Sequence, residues 1–177
     1  ILSERVLLQK IRSMLQDFII DEFGFDDLSA VPYKDHYILF KTDGVSLESD
    51  FLPGMSFNDL GWKLVVSNVS DFAAKGIKPQ WTLINLNIRK GEKLENIEDF
   101  HRGLKEAFQK YHLKFLGGDL GFSKDFSASL FMIAVVDKQT FKSIPRRNGA
   151  QPGDFIYTTG FSHINLISYQ ATTYLAP

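Results

Sequence analysis

Residues 65–76 read VVSNVSDFAAKG. Leu60, Leu64, Val65, Val69, Phe72 and Ala73 recur so closely that a helix through them is apolar on most sides. Such a helix belongs against a sheet, out of water. Its limits are also written in the chain. Ser56 followed by Asp59 has the spacing of a helix start, Gly76 is a left-handed stop, and Pro79 blocks continuation. Asp71 interrupts this helix. An unpaired carboxylate there would cost several kcal/mol in desolvation, so it needs a partner. Lys63, Lys75 or the cap of another loop are the structural solutions within the chain.

Outward from this helix, period and punctuation define the other elements. Ser3 can cap a first helix carrying Leu7, Leu8, Ile11, Leu15, Phe18 and Ile19, with Gly24 as its stop. Two strands are expected over Leu28–Tyr33 and Tyr37–Thr42, joined by Lys34, Asp35 and His36. Trp81–Ile88 alternates, with Thr82, Ile84, Leu86 and Ile88 on one face. Ile97, Phe100, Leu104, Phe108 and Tyr111 form one helical stripe. Phe115 and Leu116 are expected to be a short buried strand entering a Gly117-Gly118-Asp119 turn, and Ser127–Asp137 and Asp154–Thr159 to be the last strands. Strands and helices mix without strict alternation, which gives an α+β domain with a mixed sheet packed by helices.

Composition narrows the function. The 177 residues are 44% hydrophobic with a formal net charge of -1. That fits a core-forming soluble protein and speaks against a nucleic-acid or membrane surface held by bulk charge. There are no cysteines, so disulfides, thiolate nucleophiles and zinc–thiolate sites are excluded, in keeping with a cytoplasmic setting. His36, His101, His112 and His163 show no metal-ligand spacing.

Acidic residues are the chemistry on offer. Asp26 and Asp27, Thr42 and Asp43, Asp71, Gly117-Gly118-Asp119, and Arg147 before Gly149 to Asp154 are read as sitting where strands or helices give way to loops. Scattered carboxylates of this kind supply hard oxygen ligands for magnesium and its nucleotide. Moving a phosphoryl group between two anions is mainly an electrostatic task. If the acceptor is itself a phosphate, with a second pKa of about 6, its oxygen is already ionised and no protein nucleophile is needed.

The order and spacing of these segments resemble the thiamine-monophosphate kinase family, in the aminoimidazole ribonucleotide synthetase superfamily, over about residues 24–160. The sequence from Asn68 through Ser70, Asp71, Ala73, Ala74 and Gly76 to Pro79 is the most specific part, and Leu52-Pro53-Gly54-Met55 resembles an archaeal-type variant. The resemblance implies phosphorylation of thiamine monophosphate to the diphosphate by direct transfer from ATP with magnesium. It implies magnesium ligands at Asp27, Thr42, Asp43, Asp71 and Asp119, with Asp71 bridging ions at the catalytic centre. It places Gly118, Asp119 and Arg147 against the nucleotide, with Arg146 as the competing choice. Lys41 stands where the family has Ser, and Asp50 where it has a substrate-contacting His; Asp50 would suit the cationic thiazolium. The four metal-binding aspartates Asp27, Asp43, Asp71 and Asp119 are expected to converge.

The same resemblance implies an ATP- and magnesium-binding dimerisation domain over residues 1–152, the beginning of a second domain over 153–177, and a homodimer formed by pairing sheets. Two alternatives are another ATP-using synthetase of the superfamily, of hydrogenase-maturation or selenophosphate type, and a non-catalytic nucleotide-binding dimerisation module. Magnesium-dependent turnover separates the module from the enzymes.

Overall fold

A computed structural model describes residues 3–24, 26–157 and 174–175. The chain runs α1 (Glu4–Leu15), β1 (Ser29–Tyr33), β2 (His36–Ser46), α2 (Leu47–Asp50), α3 (Phe57–Ala74), β3 (Trp81–Arg89), α4 (Leu94–Tyr111), β4 (Lys114–Ser123), β5 (Ser127–Asp137) and α5 (Lys138–Ser143). Two short strands, β6 (Ile156–Tyr157) and β7 (Tyr174–Leu175), pair with each other antiparallel. The expected strand over Asp154–Thr159 appears only as β6, and Thr158 and Thr159 lie outside the described residues.

The main sheet has five strands in the order β1-β2-β5-β3-β4. Only β3 and β4 run parallel, and α4 makes their crossover. The sheet is therefore mixed, as the irregular alternation of elements predicts. β2 and β5 pair without interruption from His36↔Asp137 to Ser46↔Ser127.

One face of the sheet is dry. Ala30, Leu39, Val45, Ile84, Leu86, Ile88, Ala128, Leu130, Met132 and Ala134 are all buried, and alternation places them on one side. α3 covers this side with buried Leu60, Leu64, Val65 and Phe72. It begins with the anticipated capping box, in which the Ser56 hydroxyl accepts from the Asp59 amide at 3.1 Å and the Asp59 carboxylate accepts from the Ser56 amide at 2.8 Å. Gly76, at φ 68°, takes the left-handed turn after it.

α3 and α4 cross with glycine on both sides of the contact. A Cβ on Gly103 would stand 2.0 Å from the Asn58 carbonyl oxygen, and one on Gly61 would stand 2.2 Å from that of Phe100. Backbones that close leave no room for any side chain.

The opposite face carries Ile38, Phe40, Trp81, Leu83, Phe131, Ile133 and Val135, and no helix covers it among the described residues. Phe40 keeps 37% and Phe131 45% of its surface exposed. The sheet thus has a second apolar face.

Four expectations need correction, the first being that Phe115 and Leu116, expected to be buried, lie on an edge strand and each keep 56% of their surface exposed. The first helix ends at Leu15 and passes through a 3-10 turn over Gln16–Phe18, well before Gly24. β2 does not close at Thr42; it continues to Ser46, so Thr42 and Asp43 are mid-strand. Gly117-Gly118-Asp119 is likewise inside a strand, not a turn. A register shift at Thr82/Leu83 and a φ of 131° at Gly117 let β4 run on beside β3.

Gly118 is the tightest point of that strand pair. A Cβ there would lie 1.8 Å from the Ile84 carbonyl oxygen, whereas one on Gly121 would meet only the Asn87 side-chain oxygen, at 2.8 Å. Gly118→Ala is expected to detach β4 locally, and Gly121→Ala to be tolerated because Asn87 can rotate away. Amide exchange along residues 114–123 checks this: equal protection in the two variants would refute it.

Candidate functional site

The loop entering β1, the end of α3 and the segment after α5 meet at one buried charge. Lys75 caps the C-terminus of α3, and its ammonium pairs with Asp26; the two side chains are 5% and 4% exposed. The same ammonium donates to the Pro145 carbonyl at 3.1 Å. Asp26 also accepts from the Asp27 amide at 2.8 Å and from the Arg147 amide at 2.9 Å. Burial pushes the Asp26 carboxyl upward, but the Lys75 contact and the two amides outweigh it and hold it below the usual carboxylate range. A carboxyl with a depressed folded pKa adds stability that is complete above the unfolded value of about 3.9 and lost as pH falls through the folded one. Melting temperature should therefore drop on acidification below about pH 4, and the Asp26→Asn variant should show a shallower drop. Identical pH profiles would exclude the assignment.

Beside this pair stand two candidate site residues. The Arg147 guanidinium, largely exposed, pairs with Asp27. Arg146 is committed elsewhere. It stacks over the rings of Phe23 and Phe141 at 4.0 Å and 4.8 Å and donates to the Glu22 carbonyl at 3.4 Å. Of the two arginines, Arg147 is therefore the one whose fork faces solvent. Asp27, Thr42 and Lys41 also line a cleft of about 510 Å3, bounded by Phe40, Leu83 and Phe131.

Asp71 finds its partner on the sheet. It pairs with Lys41 of β2, with both side chains largely buried. Neither lysine expected from the sequence serves it, since Lys63 pairs with Asp50 at 2.9 Å and Lys75 with Asp26. The reason is geometric. Lys41 alternates onto the same side of β2 as buried Leu39 and Val45, the side that α3 covers.

Asp50 is occupied in the fold. It accepts from the Ser46 amide at 3.0 Å and the Ser49 hydroxyl at 2.7 Å, as well as from Lys63. Burial raises its pKa, but these donors prevail and hold it below the ordinary range.

The structure brings Asp27 and Thr42 to one cleft and pairs Asp71 with Lys41 of that cleft, but sets Asp119 apart on the edge strand. Asp43 shares the α3-covered face with Lys41, while Thr42 points to the other side. Asp119 pairs in register with Asn85, on the uncovered face of the edge strand. β4 is three strands from β2, roughly 14 Å at ordinary strand spacing. Among the described residues, no three His, Cys, Asp or Glu side chains form a group that could hold a metal ion. The aspartates at 27 and 71 already carry a protein cation, Arg147 and Lys41 respectively.

Two pairings of this site escaped the sequence reading, Lys75 with Asp26 and Lys41 with Asp71. Lys75 and Lys41 are ordinary lysines in the chain, and only the packing makes them counter-ions. The signal for Lys41 was its place two residues from Asp43 in an apolar strand, where a cation needs a carboxylate.

The family model described as AIR synthase related protein, N-terminal domain, matches residues 25–136, more than half of the chain. The chain belongs to this family. Among curated relatives it is similar to the thiamine-monophosphate kinase of Aquifex aeolicus, 30% identical over 159 residues that cover 90% of this chain and 49% of the relative. It is also similar to that of Nitrosopumilus maritimus, 32% identical over 123 residues covering 70% and 38%. The chain thus spans about half the length, or less, of these relatives.

Among solved structures, the complex of AaThiL with AMPPCP and TMP superposes with a TM-score of 0.77 at 29% identity, over 89% of this chain and 48% of that one. The hydrogenase maturation protein HypE in complex with ATP shares the fold, with a TM-score of 0.59 at 18% identity, over 84% and 45%. The mixed sheet and its helical cover are therefore the AIR synthase related N-terminal fold.

Proposed function

We propose that this chain is the nucleotide-handling part of an ATP-dependent kinase that phosphorylates thiamine monophosphate to thiamine diphosphate. The likeness of 89% of the chain to a complex holding an ATP analogue and TMP carries this reading. Residues 1–152 form the nucleotide-binding and dimerisation domain in this proposal, and residues 153–177 open a second domain. The setting is the cytoplasm, with neither nucleic acid nor membrane as partner; no described helix is long and apolar enough to cross a membrane.

This reaction needs no protein nucleophile. The acceptor oxygen of a phosphate monoester is already ionised near neutral pH. The protein's task is to hold two anions in line and offset their repulsion. Arg147 supplies an exposed, planar fork that suits phosphate oxygens. Gly118 and Asp119 would approach the nucleotide from the edge strand.

The carboxylates do not fit a preformed magnesium cluster, because Lys41 and Arg147 hold Asp71 and Asp27 and no three acidic or histidine side chains among the described residues form a group that could hold a metal ion. We therefore infer that magnesium enters as part of the substrate, on the ATP phosphates. Asp27, Thr42, Asp43, Asp71 and Asp119 are the oxygen donors proposed to meet it. A thiazolium contact at Asp50 would have to displace Lys63.

A second copy belongs to this reading. The uncovered apolar face of the sheet suits pairing with the same face of a partner, and Asp119, too distant to join Asp27 in one chain, can contribute across it. An interface of this kind should be of obligate size, on the order of 2,000 Å2 or more in total. Light scattering at micromolar concentration is expected to give a homodimer; a monomer would refute the pairing.

The enzymatic reading is tested by incubating the full-length protein with magnesium, ATP and thiamine monophosphate and assaying thiamine diphosphate. No product would overturn it. With a chiral γ-thiophosphate the transfer is expected to invert configuration at phosphorus, and retention would indicate a phosphoenzyme in place of direct transfer.

A further inference from the structure

Among the described ion pairs, Lys75–Asp26 is the one whose two side chains are both buried to about nineteen parts in twenty, at 5% and 4% exposure. Removing one partner of such a pair is costly, and replacing both by uncharged groups often is not. Stability alone therefore gives little reason for a charge pair here. Its connections suggest another role. One ammonium holds Asp26 and the Pro145 carbonyl. Asp26 in turn fixes the backbone amides of Asp27 and Arg147, whose side chains pair at the surface. Arg146, between Pro145 and Arg147, is pinned by the Phe23 and Phe141 rings. Three segments far apart in sequence thus meet at Lys75, at the end of the helix that carries Asp71.

We propose that Lys75 is a positioning residue: through Asp26 and the Pro145 carbonyl it sets where Arg147 and Asp27 stand, and so sets affinity for the phosphates of a nucleotide. Lys75 and Asp26 touch no ligand themselves in this account. The inference rests on the nucleotide-binding reading above and adds to it a residue outside the sequence-predicted set.

The test uses the full-length protein and three variants, Lys75→Met, Asp26→Asn and the double Lys75→Met/Asp26→Asn. The single Lys75→Met leaves a buried carboxylate uncompensated and is expected to melt well below the parent; the double variant is expected to recover most of that loss. Calorimetric titration with magnesium and AMPPCP should then show affinity weakened on the order of tenfold in the double variant. The KM for ATP should rise in step while kcat at saturation stays near the parent value. Amide exchange at Arg147 should accelerate, with the sheet still protected. A stable double variant that binds AMPPCP as tightly as the parent overturns the proposal. So does loss of protection throughout the sheet along with affinity, which would mark a merely structural pair. A parent protein that binds no AMPPCP overturns the nucleotide reading itself, and the role of Lys75 in phosphate affinity with it.

Discussion

Gly103→Ala is expected to lower the melting temperature by several degrees, up to about 8 °C, although alanine is the better helix former. The added Cβ would stand 2.0 Å from the Asn58 carbonyl oxygen and 2.8 Å from its carbon. These are backbone atoms of α3, so no side chain can rotate away. α4 must move off, loosening Phe100 and Leu104, which the crossing buries. Overpacking of this kind costs about 1–3 kcal/mol, more than the ~1 kcal/mol that Ala gains over Gly in a helix. Glu98→Ala on the exposed side of the same helix is the control and should change the melting temperature little. Equal melting temperatures for Gly103→Ala and the parent would mean that the helices do not cross this closely.

The second large effect concerns turnover. On the proposed kinase function, Asp71→Asn in the full-length protein is expected to reduce thiamine diphosphate formation on the order of 10²-fold or more, the size of loss that follows removal of a group that stabilises a developing charge. Asp71 is the one carboxylate that α3 presents to the sheet, and its charge is balanced only by Lys41 among the described ion pairs. Asp35→Asn is the comparison. Asp35 lies in the exposed β1–β2 turn, 3.2 Å from Lys138, and turnover should be unaffected. Asn matches Asp in size and can still accept from Lys41, so the fold is expected to persist, and circular dichroism of the two variants should coincide. Equal losses of activity in the two variants would remove the reason for singling out Asp71.

Local periodicity alone specified much of this protein. The burial of Phe72 beside a capping box at Ser56, the alternation of Thr82, Ile84, Leu86 and Ile88, and the stripe of Phe100 and Leu104 all follow from spacing, because a helix repeats near 3.6 and a strand at 2. Ile38, Phe40, Phe131, Ile133 and Val135 make a second face of β2 and β5 apolar, and no described helix covers it. The family resemblance singled out Asp27, Asp71 and Arg147 as candidates, and the structure gives each an ionic partner.

What the sequence left undecided was long-range pairing. A carboxylate on a buried helix announces that it needs a cation, but not which one; the choice of Lys41 over Lys63 and Lys75 was made by the register of β2 beneath α3. Local turn chemistry also misled where a neighbouring strand intervened. Gly117 and Gly118 look like a turn in isolation. Next to β3 they become the bulge and the close approach that keep β4 in the sheet, because ladder hydrogen bonds reward extension and only glycine tolerates Ile84 at that distance. Whether distant aspartates meet depends on strand order, which no local pattern encodes. The order β1-β2-β5-β3-β4 put β4, which carries Asp119, at the opposite edge of the sheet from β1, which the Asp27 loop enters.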